Sequence, residues 1–171
     1  MKKAKMLLAM LLALVLVLSF SASAFAAGPE YNNTKGFLTV LDAHEIVYEY
    51  LGIDDDKDEG VKIVTEGDYK DEIVAYVYFN EDDDVVTMCS FYVVEEFNKK
   101  DLVSVFRAVN ELHKQYKFVC FVVDEEDYSV DSTIDIPLRD CDEAGEIAFD
   151  ALYYLVTITD EAYDQLKEFE K

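Results

Sequence analysis

The sequence predicts an α+β fold, a single antiparallel sheet of about five strands with three helices in the order α-β-β-β-α-β-β-α. Two observations carry that expectation. Residues 73–79 with 85–94, and 118–123 with 130–136, are β-branched and aromatic runs paired across short acidic turns, the pattern of two hairpins. Over 142–169, Ala144, Ile147, Ala148, Ala151, Leu152, Leu155, Ile158, Ala162, Leu166 and Phe169 recur at the spacing of one helix face. Strands that come in hairpins, instead of alternating with helices, place the helices against one antiparallel sheet.

Taken in order, the chain begins as a secretory signal peptide does. Lys2, Lys3 and Lys5 precede an unbroken apolar run over 7–18, and Ala24-Phe25-Ala26 is a small-x-small cleavage site. Residues 1–26 are therefore expected to direct export, to the periplasm or the medium, and to be removed after Ala26. The apolar run is short for a permanent membrane span, so no stable anchor is expected after cleavage. Residues 27–37, with Gly28, Pro29, Asn32, Asn33 and Gly36, read as a flexible lead-in, and 38–171 as one domain. A first helix is expected over about 38–51, because Phe37, Val40, Leu41, His44, Val47, Tyr48 and Leu51 share a face. Thr39 or Asp42 can cap its start, and Gly52 stands where a helix-terminating glycine belongs. The acidic loop 54–60 follows, then strand 61–65 and a turn at Gly67-Asp68.

Alternation gives the first hairpin two faces. With a turn of even length, Ile73, Ala75, Val77 and Phe79 lie beside Val86, Met88, Ser90 and Tyr92 on a core face. Val74, Tyr76 and Tyr78 beside Thr87, Cys89 and Phe91 then form a second face, aromatic but half polar. Asn98 is expected to cap a helix over about 99–116, with the stripe Leu102, Val105, Phe106, Val109, Leu112 and Tyr116. In strand 130–136, Val130, Ile134 and Ile136 point one way and Asp131, Thr133 and Asp135 the other, which would protect the strand at a sheet edge. Pro137 stops it.

Charge narrows the function classes. The chain holds 37 Asp and Glu against 15 Lys and Arg, a net charge of −22, and the leader contains lysines but no acid. Such a charge opposes nucleic acid, which is bound by neutralising phosphates, and anionic lipid. Cys89, Cys120 and Cys141 have no metal-type spacing; outside the cytoplasm they permit one disulfide and one free thiol, with the pairing open. Cys89 and Cys120 fall within apolar strand patterns and are expected as buried thiols. There is no G-x-S-x-G, no H-E-x-x-H and no phosphate loop. Carboxylate pairs arise by chance among so many acids, so no enzyme and no cofactor is expected. His44 and His113, each expected within a helix and near its apolar stripe, are expected as packing or surface residues and not as ligands.

Two candidate sites remain. The run from Asp54 to Gly60 fails as an EF-hand, because starting at Asp55 puts Lys57 where an oxygen ligand should be. A looser cation site at Asp54, Asp56 and Asp58 is the alternative, in an acidic cation-binding or envelope-stress protein using loops 54–59 and 81–84. The leading candidate is the aromatic sheet face, with Tyr76, Tyr78 and Phe91 as interface anchors. Its partner would be a protein segment or a second copy of the chain.

The stretch Phe91-Tyr92-Val93-Val94-Glu95-Glu96-Phe97-Asn98 entering the middle helix, then Ala108-Val109-Asn110-Glu111, Tyr116-Lys117-Phe118 and the turn Asp124-Glu125-Glu126-Asp127, together resemble the YbjN-like family of proposed bacterial sensory transduction regulators. The likeness covers roughly residues 38–169. It implies a fold like that of type III secretion chaperones, small α+β modules that pair and bind extended segments of other proteins, and it implies no catalytic residues. The leader departs from the family's usual cytoplasmic setting.

Overall fold

The computed structural model describes residues 28–139 and 141–171; the expected signal peptide, residues 1–26, and its expected cleavage site lie outside them. Helix α1 (Asn32–Ala43) is followed by strands β1 (Tyr48–Ile53), β2 (Glu59–Thr65), β3 (Ile73–Phe79) and β4 (Val85–Val94). A 3₁₀ turn at Lys99–Asp101 enters α2 (Leu102–Gln115); β5 (Cys120–Asp124), β6 (Ser129–Pro137) and α3 (Ala144–Leu166) follow. One six-stranded antiparallel sheet results, in the order β1-β2-β3-β4-β6-β5. The α+β class stands, with six strands instead of five.

The extra strand comes from the segment expected as the first helix. That helix starts earlier and ends at His44, so Gly36 and the core residue Phe37 belong to it and not to a lead-in. Glu45 N–H bonds Asp42 O at 3.1 Å and Ile46 N–H bonds Leu41 O at 3.0 Å, the paired bonds of a Schellman ending. Glu45 takes the left-handed position, φ +57°, that usually falls to glycine. Gly52, expected to end the helix, lies instead at φ +85° where the β1–β2 register shifts.

Neither Thr39 nor Asp42 caps α1. Asp83, in the β3–β4 turn, does so from a distance: its carboxylate accepts Asn32 N–H at 3.0 Å and Asn33 N–H at 3.1 Å. Glu59, wholly buried, accepts Glu30 N–H (2.6 Å), Tyr31 N–H (3.0 Å) and the Tyr50 hydroxyl (2.7 Å) just ahead of the helix. Asn98 stands at the N-cap of the 3₁₀ turn after it but makes no side-chain capping bond; its backbone carbonyl accepts the Asp101 N–H at 2.8 Å.

All the described helices lie on one side of the sheet. α3 packs on β3, β4 and β6 and crosses α1 where Gly36 meets Gly145; a Cβ on Gly145 would stand 2.6 Å from the carbonyl carbon of Gly36. Their shared core holds Phe37, Leu41, Val61, Val77, Phe79, Met88 and Leu155, all fully buried. Strand β6 is interior, so its outward acids do not protect an edge; the edges are β1 and β5. At β5, α2 packs alongside and His113 Nε2 accepts the Phe121 N–H at 2.8 Å, which removes a donor from the exposed edge.

Candidate binding face

The β3–β4 hairpin has the register expected for an even turn, Phe79 opposite Val86 and Tyr76 opposite Cys89. Asn80 sets it, its Oδ1 accepting the N–H groups of Asp84 (3.1 Å) and Val85 (2.9 Å). Ile73, Ala75, Val77 and Phe79 therefore go wholly into the core, and Tyr76 and Tyr78 point to the side without helices. There they are half-buried, and Phe91 is 46% exposed.

The three rings form one cluster. Tyr76 and Tyr78 lie nearly parallel, 6° apart with centroids at 6.3 Å, and Phe91 tilts against Tyr76 at 5.6 Å. Tyr78 rests over Gly60, where a Cβ would meet its Cε1 at 3.2 Å and Leu51 at 3.3 Å. A row of neighbours crosses the whole sheet beside this cluster: Glu49, Lys62, Tyr76, Cys89, Thr133 and Cys120. Burial, then the neighbouring Cys89 and Tyr76, raises the Tyr78 hydroxyl. Burial, with Asp131 nearby, pushes the Cys89 thiol up to about 11, so it is a poor nucleophile at neutral pH.

Cys120 is exposed and not buried as expected, because it stands on the edge strand. Cys89 and Cys120 are separated by Thr133 of β6. Two strand spacings, roughly 9–10 Å, exceed the reach of a disulfide. All three cysteines are free.

Tyr92 was expected on the core face and is found outside. A register shift between Ser90 and Val94 turns it out, at φ +59° and 50% exposed, with its N–H on Asp131 Oδ1 at 2.8 Å. The signal was Val93-Val94, two successive apolar residues that are both buried and so break the alternation of a regular strand. Beside the bulge opens a cleft of about 670 Å³, running from Tyr76, Phe91 and Tyr92 to Lys70, Glu72, Glu95 and Tyr163. Lys70, Tyr163 and Glu170 are contributions the sequence did not reveal, since the β2–β3 loop, the end of α3 and the terminal residues meet there only through the fold. Tyr163 donates to Glu170 Oε2 at 2.7 Å; that bond first, and burial second, push its hydroxyl up to about 12.

The acidic loop behaves differently. Asp54 Oδ1 accepts the N–H groups of Asp56 (3.0 Å) and Asp58 (2.9 Å), and Lys57 pairs with Glu81 at 2.7 Å. The carboxylate shapes the β1–β2 turn. Among the described residues, no group of three or more His, Cys, Asp or Glu side chains is placed to hold a metal ion. His44 ends α1 and stacks on Phe149, 4.4 Å between centroids.

Comparison with solved structures finds a similar fold in YbjN from E. coli, a proposed transcription regulator. The superposition has a TM-score of 0.56 at 8% identity and covers 79% of this chain and 91% of YbjN. The likeness is one of fold. No protein-family model matches the chain, and no curated protein matches it in sequence. The YbjN fold thus supplies the layered frame, while the aromatic face and cleft are described from this chain's own residues.

Proposed function

We propose that the chain is an exported, non-enzymatic binding module that takes a protein segment on the open face of its sheet, in the manner of a secretion chaperone. The observation that carries this is the cluster of Tyr76, Tyr78 and Phe91, left accessible by a fold that stacks every described helix on the other side. A contiguous aromatic patch within a polar surround marks an interaction surface, and tyrosine suits it because the ring buries while the hydroxyl stays hydrogen-bonded. Export rests on the leader alone; the N-terminus of the purified secreted protein should be Ala27. Among the described residues no helix is long and apolar enough to cross a membrane.

The test is the double change Tyr76→Ala with Tyr78→Ala. Binding to an array of extended peptides, and any self-association seen by sedimentation, should be lost while circular dichroism is retained. The stability cost should stay below the about 3–5 kcal/mol per site typical of a buried aromatic. Unfolding of the double variant would return both tyrosines to the core and end the binding reading.

A further inference from the structure

The geometry points to an extended protein segment bearing arginine or lysine side chains as the occupant of the open sheet face; this deepens the binding reading above and rests on it. The chain's own lysines show the mode of recognition. Lys70 Nζ sits 4.6 Å from the centre of the Tyr163 ring, Lys167 Nζ 5.8 Å from Tyr69 and Lys99 Nζ 5.9 Å from Tyr128. The first of these lies in the cleft that adjoins Tyr76. Ring faces carry the negative end of the aromatic quadrupole and attract such cations. Among the described residues, no lysine or arginine sits over the accessible rings of Tyr76, Tyr78 and Phe91; Lys62, the cross-strand neighbour of Tyr76, pairs with Glu49 at 3.7 Å.

Charge complements the rings. In the cleft Lys171 is neutralised by Glu96 at 2.5 Å and Lys70 is turned onto Tyr163, whereas Glu72 and Glu95 have no ion-pair partner among the described residues. Farther along the same face stand Asp131 and Asp135, the latter accepting the Thr87 hydroxyl at 2.7 Å. With a net charge of −22, the protein steers a basic segment inward and repels an acidic one. A small amine would fill one position only. The row across six strands is roughly 24 Å long at the usual strand spacing, the span of about seven extended residues.

The purified secreted protein should be titrated calorimetrically with a ten-residue peptide of alternating arginine and leucine, and with glutamate–leucine and serine–leucine peptides of equal length. The arginine peptide should bind saturably at one per chain, at least tenfold tighter than either control, and weaken at least tenfold in 0.5 M sodium chloride. Because any basic peptide is drawn to so acidic a protein, the deciding variant keeps every charge: Tyr76→Leu with Phe91→Leu should lose at least tenfold in affinity while circular dichroism is unchanged. Unaltered affinity in that variant, or non-saturating binding, would show diffuse charge attraction and overturn the inference. Equal binding of the serine peptide, lost in the same variant, would overturn the cationic preference but leave the binding face standing. Loss of folding in the variant would be met by Glu72→Gln with Glu95→Gln, which must weaken the arginine peptide at least threefold at constant sodium chloride for the inference to survive.

Discussion

Asp160 of α3 approaches Gly67 so closely that a Cβ on the glycine would lie 2.1 Å from the carboxylate Oδ1. The space is needed because the carboxylate turns into the β2–β3 loop and accepts three backbone N–H groups, from Asp68 (2.8 Å), Tyr69 (3.0 Å) and Lys70 (2.9 Å). One side chain of the closing helix thus holds the loop that delivers Lys70 to the cleft.

Asp160→Ala should therefore cost about 2–4 kcal/mol, since it leaves several part-buried donors unpaired. Gly67→Ala should also destabilise, by forcing the same carboxylate away. In the double variant the two losses should be markedly less than additive, because the clash vanishes with the carboxylate. Urea denaturation of the four proteins measures this; strict additivity would mean that the two residues do not share one interaction.

The end of α1 offers a change in the other direction. Glu45 holds φ +57°, a conformation that costs an L-residue roughly 1–2 kcal/mol and glycine almost nothing. Glu45→Gly should raise stability by up to about 1 kcal/mol after the added unfolded-state entropy is counted. For a chain of this size that is a Tm increase of about 2–4 °C, readable in a thermal scan.

That same residue explains the main failure of sequence reading. The hairpins, the long final helix and the core face of β3 were legible because each repeats one period without interruption. Residues 44–53 instead fit two patterns: His44, Val47, Tyr48 and Leu51 suit a helix, whereas Tyr48 and Tyr50 alternate as a strand. A glycine would have marked the stop, but the stop is Glu45, held by bonds to Asp42 and Leu41 that no local preference announces. The aromatic face was visible for the opposite reason, since a register fixed by Asn80 must send Tyr76 and Tyr78 to one side. Its cleft was not, because Lys70 and Tyr163 meet only after α3 closes on the loop.

Stability should depend on pH through Glu59. Burial pushes its carboxyl up, but the adjacent Thr34 and Tyr50 hydroxyls and the N–H groups of Glu30 and Tyr31 together more than offset this and hold it below the ordinary value of 4.5. A carboxyl depressed in the fold contributes stability above about pH 4.5, which is lost as pH falls through the folded value. Asp131 and Asp58 are shifted the other way, mainly by burial, so their charge weakens the fold at neutral pH and protonation relieves it. Tm should thus gain as Asp131 and Asp58 take up protons and fall as Glu59 is protonated below about pH 4.5. Glu59→Gln should lower Tm at pH 7 and flatten the acid limb; an unchanged acid limb would remove Glu59 from this role.

Cations provide the last prediction, at Asp54, Asp56 and Asp58. Burial first, then the charges of Asp54 and Asp56, raises the Asp58 carboxyl, so these groups repel one another and salt should help by screening. Asp54 already spends Oδ1 on the Asp56 and Asp58 N–H groups, and Lys57 stands beside it as a resident cation paired with Glu81. Millimolar calcium should consequently raise Tm no more than sodium chloride of equal ionic strength. Asp54→Ala should destabilise by about 1 kcal/mol through loss of its turn hydrogen bonds, whereas Asp56→Asn should be neutral or slightly stabilising. A saturable, calcium-specific rise in Tm that disappears in Asp56→Asn would instead make the loop a cation site and shift the function away from the aromatic face.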